Sequence, residues 1–121
     1  MTTSTTTFDI ARFSRAFEAR DASAQVELYA PDATVTIADP TAQPSSPRVI
    51  RGRDEIAAWV QDGCARELTH AVKHGVQDDH GAAYVVACSY PDGTKVLCAS
   101  VLELEHGLIS GQTIVQVWDE S

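Results

Sequence analysis

The sequence predicts a layered α+β domain whose first half supplies helices and whose second half supplies an antiparallel sheet. Up to about Arg66, apolar residues recur at helical spacing around one strand; from Leu68 to Trp118 they alternate between tight turns. The stretch Leu28-Tyr29-Ala30-Pro31-Asp32-Ala33-Thr34-Val35 sits at the junction of helix and strand. At 121 residues the chain is one domain, able to bury a core without staples. Residues 1–7 read as a disordered leader and residues 8–121 as the folded unit. If the sheet curls under its helices it encloses a pocket, so the layout bears on function.

The first helix is predicted over Phe8 to Arg20. Ile10, Phe13 and Phe17 form its apolar stripe, and Thr6 with Asp9 makes a capping pair. Asp21 opens a second helix with Ala22, Val26 and Tyr29 on its buried side, and Pro31 stops it. Ala33 to Ile37 alternates as a strand. The run from Asp39-Pro40 to Ser46-Pro47 is a loop, and Val49-Ile50-Arg51 is a short edge strand. After Gly52, Asp54 and Glu55 place negative charge in the first turn of a third helix, where the dipole favours it. Ile56, Trp59, Val60 and Cys64 share the buried face of that helix. Strands then run from Leu68 to Val76, Ala83 to Tyr90, Lys95 to Glu105 and Leu108 to Trp118. Their turns are Asp78-Asp79-His80-Gly81, Pro91-Asp92-Gly93 and His106-Gly107.

Charge and composition exclude several functions. Seventeen acidic against nine basic residues give a net charge of −8, which repels phosphate backbones and anionic lipid, so neither nucleic acid nor membrane is an expected partner. No apolar run reaches the ~20 residues of a membrane span, and the leader lacks the basic and apolar regions of a secretory signal. Cys64, Cys88 and Cys98 form no CxxC pair, which suits buried free thiols in a reducing cytoplasm. With no Gly-rich phosphate loop, nucleophile elbow or dinucleotide fingerprint, no cofactor is expected.

Three segments in this order resemble the nuclear transport factor 2-like superfamily, specifically its SnoaL-like and ketosteroid-isomerase-like branches. They are Leu28 to Val35, Gly52-Arg53-Asp54-Glu55-Ile56 and Val115-Gln116-Val117-Trp118-Asp119. The resemblance implies a cone-shaped barrel: a strongly curved, mostly antiparallel sheet covered by three helices from the N-terminal half, around a deep apolar pocket. It implies a cofactor-free enzyme doing general acid/base chemistry, of isomerase, cyclase or dehydratase type, on an apolar and possibly ring-containing substrate. The same fold also serves non-catalytic ligand-binding or dimerisation modules. A homodimer through the outer sheet face is implied as well, and the apolar alternation on both faces of Tyr84 to Cys88 suits it.

Two residues lead as proton carriers. Leu68-Thr69-His70 resembles the strand that bears an inward histidine in the superfamily's dehydratases, where the partner is an aspartate corresponding to Asp21. Imidazole suits the task because it titrates near neutrality. The alternatives are a satisfied strand histidine at His70 and a plain helix cap at Asp21. Asp39-Pro40 resembles the carboxylate-proline pair of the ketosteroid isomerases, but here it is displaced by Ile37-Ala38, roughly 6–7 Å along the strand. Asp39 therefore reads either as a base or as the start of the loop. The isomerases' oxyanion donors align with Phe13 and a position near Leu102, neither of which can donate.

Phe13, Phe17, Tyr29, Trp59 and Val60 occupy positions that line the cone in the resembled family, and Val86, Cys88, Ser100 and Leu102 are expected as its sheet-side wall. Cys88 and Cys98, on neighbouring strands, read as inert core thiols. His70 and His74 share a strand face but stand ~13 Å apart, while His80 and His106 fall in turns, so no metal site is expected.

Overall fold

The computed structural model describes residues 8–119, so the threonine leader and the capping role of Thr6 lie outside the described residues. Helix α1 spans Ile10–Glu18. Asp9 caps it, accepting a hydrogen bond from the Ala11 N–H at 2.9 Å. The helix stops short of Arg20 because that residue takes a left-handed conformation, φ 55°. Asp21 caps α2 (Ala22–Val26) through the Ala24 N–H, 3.1 Å away.

Tyr29 does not belong to that helix. It opens β1, Tyr29–Ala38, which runs straight through Pro31. Proline lacks the N–H that a sheet ladder needs. Here the pairing slips between Tyr29 and Thr34, which takes Pro31 and Asp32 out of the ladder.

The edge strand β2 (Arg48–Arg51) pairs antiparallel with β1 and leads into α3, Gly52–Ala65. Gly52 has φ 82°, a conformation that a side chain would strain. The Glu55 carboxylate reaches back to accept from the Arg51 N–H at 3.1 Å, half of a capping box. Strands β3 (Thr69–Gln77), β4 (Gly81–Ser89), β5 (Lys95–Glu105) and β6 (Leu108–Trp118) complete one six-stranded sheet. Its order is β2-β1-β6-β5-β4-β3, and β1 with β6 is the parallel pair.

Burial follows the alternation of the sequence. On β5, Val96, Cys98, Ser100, Leu102 and Leu104 face the helices, while Leu97 and Val101 face outward. One continuous core joins that inner face to Phe8, Phe13, Ile56 and Val60. Strand β3 breaks the pattern. Its pairing slips between Lys73 and Val76, with His74 at φ 56°, so the facing shared by His70 and His74 in a regular strand is interrupted. His70 is half-buried and His74 is exposed.

Candidate active site

Between the helices and the inner face of the sheet lies a cavity of about 290 Å³. Successive inward residues of β4, β5 and β6 line it in layers, from Tyr84, Ser100 and Gln112 at one level to Tyr90 and Trp118 at the rim. Phe17, Trp59 and Val60 close it from the helix side.

The deepest layer is polar and fully connected. Tyr29 donates its hydroxyl to Gln112 Oε1. Gln112 Nε2 donates to the Tyr84 oxygen at 3.1 Å and to the Ser100 oxygen at 2.9 Å. Ser100 sits directly across from Tyr84 in the pairing of β4 with β5. Gln112 therefore commits both amide N–H groups and one oxygen lone pair to three hydroxyls, each on a different strand. Because Gln112 donates to the Tyr84 oxygen, Tyr84 keeps its own phenolic proton to donate. Burial pushes the Tyr84 phenol up, against the neighbouring side chains of Ser100 and Gln112, and burial with Tyr84 alongside pushes Tyr29 up well above its usual range. Both remain neutral donors at ordinary pH.

Higher on the same wall, His70 of β3 stands directly opposite Cys88 of β4. The imidazole Nδ1 is 3.1 Å from the Cys88 sulfur, and the Phe17 ring packs edge-on at 4.7 Å. The same Phe17 ring lies 6.3 Å from Tyr84, so one aromatic bridges the two polar levels. Cys98 lies diagonal to Cys88 across β4 and β5. The neighbouring Cys98 thiol pulls the Cys88 thiol down, burial opposes it, and the contact with His70 pulls it further down. Cys98 moves the opposite way, raised first by its Cys88 neighbour and then by burial.

Asp39 lies at the cavity rim, turned back into its own loop. Its carboxylate accepts from the N–H and the hydroxyl of Thr41, each at 2.8 Å. Desolvation pushes this carboxyl up, but the bonds from Thr41 and Ala42 and the nearby Arg48 outweigh it and hold the acid below its usual range. Asp21 lies outside the cavity lining, exposed at the start of α2. Phe13 and Leu102 face inward yet do not line the cavity. Phe13 is locked among the rings of Phe8, Phe17 and Tyr84, and both residues are nearly inaccessible. Phe17, Tyr29, Trp59, Val60, Val86, Cys88 and Ser100 all line it.

Sequence reasoning missed Tyr84 and Gln112. The alternation that turns Val86 and Cys88 inward also turns Tyr84 inward, so that signal was present. Gln112 was hidden. The pairing of β5 with β6 slips at Glu103 and Leu104, and Gly111 and Gln112 are buried consecutively. Among the described residues, no group of three or more His, Cys, Asp or Glu side chains is arranged to hold a metal ion, and no helix is long and apolar enough to cross a membrane.

Three helices over one face of this sheet, with a cavity between the layers, define an NTF2-like α+β domain. A family profile for the SnoaL-like domain matches residues 10–112, and the chain belongs to that family. Among solved structures, an NTF2-like protein of unknown function from Mesorhizobium loti superposes with a TM-score of 0.78 at 16% identity, covering 89% of this chain and 87% of that one. A protein provisionally assigned as a ketosteroid isomerase, from Kribbella flavida, gives a TM-score of 0.72 at 21% identity, over 93% and 76% of the two chains. SalBIII, an epoxide hydrolase/cyclase-like enzyme of pyran ring formation in the polyether salinomycin, gives 0.68 at 22% identity, over 91% and 87%. At these identities the shared property is the fold. A search of curated protein sequences gives no significant match.

Proposed function

We propose that the protein is a small-molecule enzyme that moves a proton within an apolar, ring-containing carbonyl compound, using only its own side chains. One observation carries this. A histidine and a neutral phenol donor open at two levels of a single, largely apolar cavity, with Phe17 between them. In this scheme Tyr84, held by Gln112 and Ser100, donates to the carbonyl oxygen as negative charge develops there. His70, with Cys88 in contact, carries the proton to or from carbon. The neighbour of His70 is thus a thiol, where a carboxylate was expected. Asp39, kept ionised by its loop, and Asp21, engaged as a helix cap, are weaker candidates for the base. Isomerisation, aldol-type cyclisation and dehydration next to a carbonyl can each use this pairing of a proton carrier with an oxyanion donor.

The test is deuterium exchange at the acidic C–H of a panel of cyclic ketones in D₂O, followed by NMR. The wild type is expected to accelerate exchange of at least one ketone, and His70→Ala to lose about 10²-fold of that acceleration. Ketones that bind without exchanging would instead identify a ligand-binding module. That second reading draws support from the absence of any buried side-chain polar atom without a hydrogen-bond partner among the described residues. In either case, we propose that two copies associate through the outer face of the sheet, where Leu97 lies opposite Val117 and Ala99 opposite Val115. Leu97, Val101, Val115 and Val117 are each at least half exposed there, an apolar surface that a second copy would cover.

A further inference from the structure

The row formed by His70, Cys88 and Cys98 across three neighbouring strands is the arrangement of an activated nucleophile, and proton transfer alone gives no role to its sulfurs. Cys88 faces the cavity with an imidazole nitrogen at 3.1 Å on one side and the Cys98 thiol diagonal to it on the neighbouring strand. The cavity also holds its own control. Cys64 lines it too, but its contact is Gln25 Nε2 at 3.5 Å, with the charges of Arg20 and Asp21 acting in opposite senses, and burial raises that thiol. Two cysteines therefore share one space, and an imidazole contacts only Cys88.

We propose that Cys88 is a covalent capture site for an apolar molecule bearing a C=C bond conjugated to a carbonyl. Nδ1 of His70 takes the Cys88 proton, and the Cys98 S–H supports the resulting thiolate. The sulfur lone pair then forms a bond to the β carbon. The C=C pair moves to the bond between the α carbon and the carbonyl, and the carbonyl π pair moves onto oxygen. When the enolate collapses, the α carbon takes the proton from Nδ1. The net change is addition of S–H across the double bond, with no change of oxidation level, and the reverse sequence releases the molecule. A thiolate is a soft nucleophile and this carbon a soft electrophile; the largely apolar walls admit the remainder of such a molecule. None of this depends on the proton-transfer scheme proposed above, because capture needs no turnover.

The experiment labels the whole protein with substoichiometric cyclohex-2-enone and maps each cysteine by mass spectrometry across pH. Cys88 is expected to react at least about tenfold faster than Cys64 at pH 6, after allowing for the lower intrinsic nucleophilicity of an acidic thiol. Cys98 is expected to label last. Other ionisable groups turned to this cavity could also shape the profile: Tyr84 on β4 and Tyr90 just after it, Asp62, Cys64 and Arg66 at the end of α3, Tyr29 and Arg48 on β1 and β2, and Asp39 in the loop after β1. His70→Gln separates their influence. It is expected to move the onset of Cys88 labelling upward, toward the ordinary thiol range, with the influence of Cys98 still in place. Cys64 labelling as fast as Cys88 at pH 6 in the wild type would overturn the assignment, whatever the variant does. An unmoved Cys88 profile in a folded His70→Gln protein would also overturn it.

Discussion

Replacing Gln112 with leucine tests whether the buried hydroxyl cluster is the organising feature of the cavity. The side chain is 4% exposed and holds three hydroxyls, so its loss is felt on β1, β4 and β5 together. Tyr84 and Ser100 each lose the bond from Gln112 Nε2. Tyr29, 2% exposed, is left with a buried hydroxyl and no acceptor, which costs about 1–3 kcal/mol. The two remaining lost bonds add about 1 kcal/mol each, offset in part by the apolar surface of leucine. A loss of about 2–4 kcal/mol follows. Unfolding entropy near 2.1 cal/mol/K per residue converts this to about 4 °C per kcal/mol for a chain of this length, hence a Tm lower by about 8–16 °C. Tyr29→Phe alone should also destabilise, because it leaves Gln112 Oε1 unpaired. The double variant has neither orphan and should cost at least about 1 kcal/mol less than the sum of the singles. Calorimetry or chemical unfolding of the four proteins measures this cycle. Additivity to within about 0.5 kcal/mol would mean that the cluster does not act as a unit, and the case for Tyr84 as an oriented donor would fall with it.

Three further outcomes are expected. The wild type should sediment as a dimer and Val101→Glu as a monomer of similar Tm; a monomeric wild type would remove the proposed assembly. Gly52→Ala forces a Cβ into φ 82° with only an ordinary contact to the Pro31 carbonyl, so backbone strain alone should lower stability by about 1–2 kcal/mol in urea unfolding. Asp39 has a depressed folded pKa, so its contribution is complete above the ordinary carboxyl range near pH 3.8 and is lost as pH falls through the lower folded value. Asp39→Asn should therefore flatten the fall of Tm on acidification below about pH 4, by less than the equivalent of about 1 kcal/mol because the loop is partly solvated.

The elements visible in the sequence were those with strong local signals. Asp21 is a side-chain cap where the sequence marks the start of a helix, and β4 and β5 alternate without interruption; the pattern of the first helix begins at Phe8, two residues early, and the cap is Asp9 itself. The errors cluster where a sheet ladder slips. At Pro31, the sequence pattern carries the helix to Tyr29 and begins the strand at Ala33, whereas the helix ends at Val26 and a bulged strand already runs from Tyr29 through the proline. At His74 and at Gly111, a slip resets which side chains face inward, and a period-two reading cannot see it. The contact between His70 and Cys88 was invisible for a different reason. It joins residues eighteen apart in sequence and depends on the register between their two strands, which neither strand encodes alone.

The parallel pairing of β1 with β6 has a consequence for biosynthesis. Of its two neighbours in the sheet, β1 can find β2 soon after it leaves the ribosome, but Ile37 meets Ile114 only after β2, α3 and three further strands have followed it. One edge of β1 must wait, unpaired, for a partner made much later. A chain of this connectivity is expected to close late and slowly, and to depend on holdase protection during translation more than a helical bundle of equal length would.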